Sequence, residues 1–168
     1  KGVFFILQCR SGKRTGPAAI KIAVDHVNEG LITKEQAIAR VAPDLLNQCL
    51  LPVIQPGAKY SVIARGLPAG PGAATGMACF DAKRAVELGK GGKNQKVILV
   101  RADTSPDDLG GMLAAQGVLT ERGGMTSHAA LVARGFGIPT VAGCSDIKVG
   151  SDSFVIGDKV IKEGDWIS

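Results

Sequence analysis

At 168 residues the chain has room for one ordinary domain, or for a small domain with an appendage. Hydrophobic residues make up 45% of it, yet only five Phe, one Trp and one Tyr are present, so the core must be assembled from Ala, Val, Ile and Leu. The net charge of +5 suits phosphate-bearing ligands. No Arg/Lys cluster is interleaved with aromatics and no apolar run approaches a membrane span, which argues against nucleic acid and a bilayer as partners.

Four cysteines stand at 9, 49, 79 and 144 with no C-x-x-C pair, and with the two histidines they make no metal-ligand spacing. They read as small apolar side chains in a reducing compartment.

Val3 to Leu7 is a run of β-formers and reads as a strand. The opening is too brief for a signal sequence. A start without Met, directly in a strand-like run, reads as a piece of a longer protein. Ser11-Gly12-Lys13 lacks the upstream glycine of a P-loop, and Arg14 replaces its hydroxyl residue.

Gly16-Pro17 opens a helix with proline at its first position, Ile20, Ala23, Val24 and Val27 on one face, and Gly30 at its end. His26 lies off that face and reads as a solvated residue. Thr33-Lys34-Glu35-Gln36 is a capping box for a second helix to about Val41. Pro43-Asp44 starts a third, which Pro52 stops. Residues 16–57 thus read as a helical connector and linker.

Gly66 to Gly76 is a turn-rich entry into a strand at Met77–Phe80. Its Gly70-x-Gly72 is no dinucleotide fingerprint, because Pro71 lies inside the loop and the third glycine is misplaced. A short helix at Asp81–Leu88 follows, then a strand from Lys96 to Ala102. Ser105-Pro106-Asp107-Asp108 caps a helix to about Ala115, with both acids facing the helix dipole. Gly117 to Thr120 is a strand.

Next comes Thr120-Glu121-Arg122-Gly123-Gly124-Met125-Thr126-Ser127-His128-Ala129-Ala130, continuing to Gly135. Gly123 and Gly124 permit a tight loop or the close approach of another backbone. Thr126 and Ser127 are N-cap residues, the alanine-rich run is helical, and Gly135 is a C-terminal stop. His128 then falls in the first helical turn, where unpaired N–H groups and the dipole favour an anion. Only a neutral ring nitrogen has the lone pair to attack phosphorus. Glu121 and Arg122 either meet an incoming phosphate or pair with each other. Beyond this, Ile138 to Val141 leads to Gly143, and there follow a hairpin of Val155-Ile156 and Val160-Ile161 around Gly157-Asp158 and a short strand at Trp166.

The Gly-Gly-Met-Thr-Ser-His stretch resembles the phosphohistidine motif of the pyruvate phosphate dikinase family within the PEP-utilising enzymes. Related motifs of phosphoenolpyruvate synthase and of the first sugar phosphotransferase enzyme carry Arg at the place of Met125. The resemblance continues through Thr104–Met112, Gly157–Trp166 and Leu7-Gln8-Cys9-Arg10, and so covers most of the chain. It implies an α/β fold: residues 58–168 form a swivelling β/β/α phosphohistidine domain, preceded by the small helical connector, with residues 1–15 ending an ATP-grasp nucleotide domain. It implies His128 as phosphoryl carrier, with Gly123, Gly124, Thr126 and Ser127 supporting the phosphate. Thr126 is also the place at which plant members are inactivated by phosphorylation. By the same match Gln8 and Arg10 contact ATP.

The complete enzyme is expected to use ATP and Mg²⁺, with none bound by this piece alone. Its expected partners are the nucleotide domain and a pyruvate/PEP β/α barrel of the same polypeptide, in a homodimer, inside the cell in cytoplasm, glycosome or plastid. Two other readings are the corresponding domain of phosphoenolpyruvate synthase, which Met125 disfavours, and a non-catalytic basic binding module. Steep weakening of binding by salt would identify the latter.

Overall fold

The computed structural model describes residues 2–9, 14, 16–55, 57–91 and 94–168. Arg10 and the Ser11-Gly12-Lys13 stretch lie outside them. The chain divides into two compact units, Lys1–Leu50 and Leu51–Ser168. Among the described residues there are six α-helices and two sheets. None of these described helices is long and apolar enough to cross a membrane.

The first unit is helical. Helix α1 (Gly16–Asn28), α2 (Lys34–Arg40) and α3 (Pro43–Asn47) lead into a 3-10 turn at Gln48–Leu50. The capping box forms as the sequence predicts: Gln36 N–H donates to Thr33 Oγ1 at 3.3 Å and Thr33 N–H to Gln36 Oε1 at 3.0 Å. Helix α1 buries Gly16, Ala19 and Ala23, while Val24 is 49% exposed. The contact line thus follows the smallest residues, which allow the closest approach, and not the largest. Val3–Leu7, expected as a strand, forms none, and its side chains are 70% to 95% exposed. A β-former needs a neighbouring strand to satisfy its ladder, and no described residue supplies one.

The second unit holds β1 (Leu67–Gly70), β2 (Gly76–Cys79), α4 (Ala82–Gly89), β3 (Val97–Arg101), α5 (Leu109–Ala114), β4 (Gly117–Thr120), α6 (His128–Phe136) and β5 (Thr140–Ala142). Then come β6 (Lys148–Val149), β7 (Ser153–Ile156), β8 (Lys159–Lys162) and β9 (Trp166–Ile167). The larger sheet has the order β1-β5-β4-β3-β2-β9. Its central strands β2 to β5 are parallel and the two edge strands antiparallel. Strands β2, β3, β4 and β5 are neighbours in chain order with one helix in each connection. Right-handed crossovers that always step the same way put all three helices on one face. The other face is left for the antiparallel sheet β6-β7-β8.

Two clusters record this layering. Val97 and Leu99 of β3 pack with Ala85, Met112, Ala129 and Ala133 from the helices. Ile98 and Val100 pack with Phe80, Ile147 and Phe154 on the opposite face. The period-2 alternation of a strand buried on both sides produces that division. Phe80 and Phe154 meet with ring centroids 6.4 Å apart.

Several boundaries differ from the sequence reading. The turn-rich stretch contains β1, whose Pro68 is tolerated because the strand is an edge. The helix from Ser105 splits into a 3-10 turn at Pro106–Asp108 and α5. Helix α6 runs through Gly135 to Phe136, and Gly137, at φ +69°, ends it instead.

Candidate functional site

The site is built on the connection between β4 and α6, at the carboxyl ends of the parallel strands. This is the edge where open α/β sheets place their ligands. Thr120 closes β4 and is fully buried. Its Oγ1 donates to Arg122 O at 2.7 Å and accepts from Gly143 N–H at 3.3 Å. Cys144 N–H donates to Thr120 O at 2.9 Å. The base of the loop is therefore tied to the segment leaving β5.

Gly123 and Gly143 are glycines for a steric reason. Gly143 has φ +61°, and a Cβ there would lie 2.3 Å from Gly123 O. Gly123 has φ +110°, and a Cβ there would stand 3.0 Å from Ser127 Oγ. Gly124 is different: a Cβ at that position meets nothing within 4 Å. The chain's own packing does not require glycine there, so Gly124 leaves one side of the loop open to another molecule.

Ser127 is the N-cap of α6, with Oγ accepting from Ala130 N–H at 3.4 Å. Thr126, also read as a cap, is exposed, and its hydroxyl makes no hydrogen bond to a described residue. The first i→i−4 bond runs from Leu131 N–H to Ser127 O at 3.0 Å. The N–H groups of His128 and Ala129 precede that bond and are left to face outward from the helix end. His128 is the first helical residue and half-buried, and its Nε2 is shielded from solvent without a hydrogen-bond partner. Thr104 Oγ1 is likewise buried and unpartnered. Ser127 N–H donates to Gly124 O at 3.0 Å, closing the turn ahead of the helix. Arg134 reaches back along α6, with Nε donating to Ala130 O at 3.0 Å and Nη2 to Met125 O.

Glu121 and Arg122 do not pair with each other. Glu121 Oε2 accepts from Val149 N–H at 2.9 Å, and Oε1 lies 3.3 Å from Lys148 Nζ. The Val149 amide, and then the Lys148 ammonium, hold the Glu121 carboxyl below the usual glutamate range. The acid thus anchors β6 and is not directed at a ligand. The Arg122 guanidinium is exposed and makes no ion pair with a described residue.

Asp107 and Asp108 form no carboxylate pair. Asp108 is buried, accepts from Ser105 N–H at 2.9 Å and sits 3.3 Å from Arg101 Nε, whereas Asp107 is exposed. Gln8 lies exposed in the first unit, away from regular structure. Among the described residues no three His, Cys, Asp or Glu side chains gather as a metal cage.

The sequence reading missed Thr120. A threonine in a strand reads as β-propensity, and the partners of its hydroxyl lie on two separate segments.

Two sheets with helices on one face, and a histidine opening a helix behind a glycine loop, define an α/β domain with a candidate histidine site. Residues 93–168 match the family described as PEP-utilising enzyme, mobile domain. The rest of the chain is equally informative. Over 98% of its length, it is 56% identical to the chloroplastic pyruvate, phosphate dikinase of Flaveria trinervia. It is 55% identical to pyruvate, phosphate dikinase 2 of Zea mays, and 51% identical over its full length to the pyruvate, phosphate dikinase of Rhizobium meliloti. It spans 17% of the first of these proteins and 19% of the other two. The chain is homologous to that segment of pyruvate, phosphate dikinase.

Proposed function

We propose that this chain is the phosphoryl-carrying segment of a pyruvate phosphate dikinase, with His128 as the carrier. The observation that supports this most directly is the position of His128 at the start of α6, beside the outward N–H groups of His128 and Ala129. A ring nitrogen of His128 attacks the β phosphorus of ATP: the N–P bond forms, the P–O bond to AMP breaks, and a diphosphoryl group stays on the histidine. An oxygen of inorganic phosphate then attacks the terminal phosphorus, the P–O bond between the two transferred phosphoryl groups breaks, diphosphate leaves and one phosphoryl group remains on His128. In the second half, the enolate oxygen of pyruvate attacks the same phosphorus, the N–P bond breaks and phosphoenolpyruvate leaves.

This chain's part is to hold the charge. Amides at the helix end, with the Ser127 and Thr126 hydroxyls close by in sequence, donate hydrogen bonds to the phosphoryl oxygens. Gly123 and Gly124 let the loop approach a phosphate donor. Mg²⁺, used with ATP by the complete enzyme, would neutralise charge on the nucleotide phosphates. Gln8 and Arg10, by the family match, would face ATP from the nucleotide domain.

The same reading supplies the reason for motion. In-line transfer requires contact geometry at each step, and one histidine cannot meet two separate pockets at once. Residues 58–168 would swivel as a β/β/α body on the connector 16–57, between a nucleotide domain ending at 1–15 and a barrel domain.

The test joins this chain to the missing domains of a relative and supplies ATP, Mg²⁺ and phosphate. The expected product is an acid-labile, base-stable phosphate on His128, found by intact mass and peptide mapping and abolished in His128→Asn. Label on another residue, with His128 unmodified, would falsify the carrier role.

A further inference from the structure

We propose that the Thr120 hydroxyl is a positioning group for this phosphoryl transfer: it fixes the histidine loop to the β5 exit and so sets where His128 is presented. The proposal rests on the carrier reading and adds to it a residue that touches no phosphate. At a fully buried strand position, valine would serve packing and β-propensity as well as threonine. The hydroxyl is instead used in both directions, donating to Arg122 O at 2.7 Å and accepting from Gly143 N–H at 3.3 Å. These partners belong to different segments: Arg122 opens the histidine loop, and Gly143 follows β5.

From there contacts run to the nucleophile. Gly143 lies so near the loop that a Cβ on it would stand 2.3 Å from Gly123 O. A Cβ on Gly123 would stand 3.0 Å from Ser127 Oγ. Ser127 caps α6, and His128 is the next residue. Removing the hydroxyl takes away at once the partner of the Arg122 carbonyl, on an exposed residue that can turn to water, and that of the amide of half-buried Gly143. Leaving a partly buried amide unpaired is costly, so both segments shift to new partners. Gly123 is held between them and moves too, carrying the cap of α6 with it. In-line transfer is steeply sensitive to such movement, with a misplacement of about 1 Å worth on the order of 100-fold in rate.

The experiment places Thr120→Val, Thr120→Ala and Thr120→Ser in a complete dikinase polypeptide carrying this segment. It follows single-turnover phosphorylation of His128 by phosphoenolpyruvate, read by intact mass, with thermal melting as the check on folding. The two hydroxyl-free variants give a usable chain whichever packs better. The expected result is a loss of about tenfold or more at saturating phosphoenolpyruvate. Half-saturation should stay unchanged, because Thr120 does not face the donor. Serine should restore most of the rate. A folded valine or alanine chain that labels at the wild-type rate overturns the proposal, as does a serine chain as slow as both. Absence of label on His128 in the wild-type chain overturns the carrier reading instead.

Discussion

The two hydroxyl residues before His128 divide their work. Ser127 caps the helix, whereas Thr126 is exposed and makes no hydrogen bond to a described residue. Loss of the Ser127 cap is therefore a stability matter, typically about 1 kcal/mol. A change at Thr126 is an electrostatic matter. A negative group there would compete for the helix-end amides and repel the phosphate that must arrive. A phosphothreonine brings roughly −1.5 to −2 charges at neutral pH. We expect Thr126→Asp to lower His128 phosphorylation far more than Thr126→Val does, with both variants melting near the parent temperature. Equal labelling of the aspartate and parent chains in the complete enzyme would show that Thr126 has no such role. The place of His128 at a helix start was legible because cap residues and an alanine run are local signals. The division between Thr126 and Ser127 was not, because either side chain satisfies the same cap preference and only geometry selects one.

Helix α6 is an instrument for bringing its first turn close to the sheet. Ala129, Ala130 and Ala133 are buried, and Ala130 packs with Ala69 of β1 and Ala142 of β5. Methyl groups on all three elements let the helix lie low, so that His128 emerges level with the strand ends. Ala130→Leu inserts three heavy atoms where there is no space, and overpacking of this kind costs about 1–3 kcal/mol. Denaturant melts should show that loss, with slower His128 labelling in the fraction that stays folded. A fully stable leucine variant would mean that α6 rides higher than described. Elements of this kind were readable where one signal dominates: the Val97–Val100 run for β3, the Thr33 capping box for α2, Gly157-Asp158 for the β7–β8 turn. Strand β1 was not, since Pro68 argues against a strand unless its edge position is known. Strand β6 has two residues and is held by the distant Glu121, which no local pattern announces.

The two units differ in how they are held together, and that difference has a measurable consequence. In the unit Leu51–Ser168, β3 is buried on both faces and β4 pairs on both sides. Exchange of their amides requires that a layered core open. In the unit Lys1–Leu50, α2 and α3 bury no residue, and the side chains of Val3 to Leu7 are exposed. Helices this short draw most of their stability from packing, which is slight here. Opening free energies should therefore be low in the first unit and approach the global value in β3 and β4. Hydrogen exchange on the isolated chain should show residues 16–50 losing protection well before 97–101 and 117–120. Denaturant should likewise melt helical signal from the first unit ahead of the β signal. The run Val3–Leu7 reads as a strand yet forms none, because a strand's existence depends on a partner that local pattern does not name. If the nucleotide domain supplies that partner, protection of residues 3–7 should appear only when that domain is present. Protection of residues 16–50 equal to that of β3 in the isolated chain would refute the two-level stability. It would make the helical unit part of the same cooperative core.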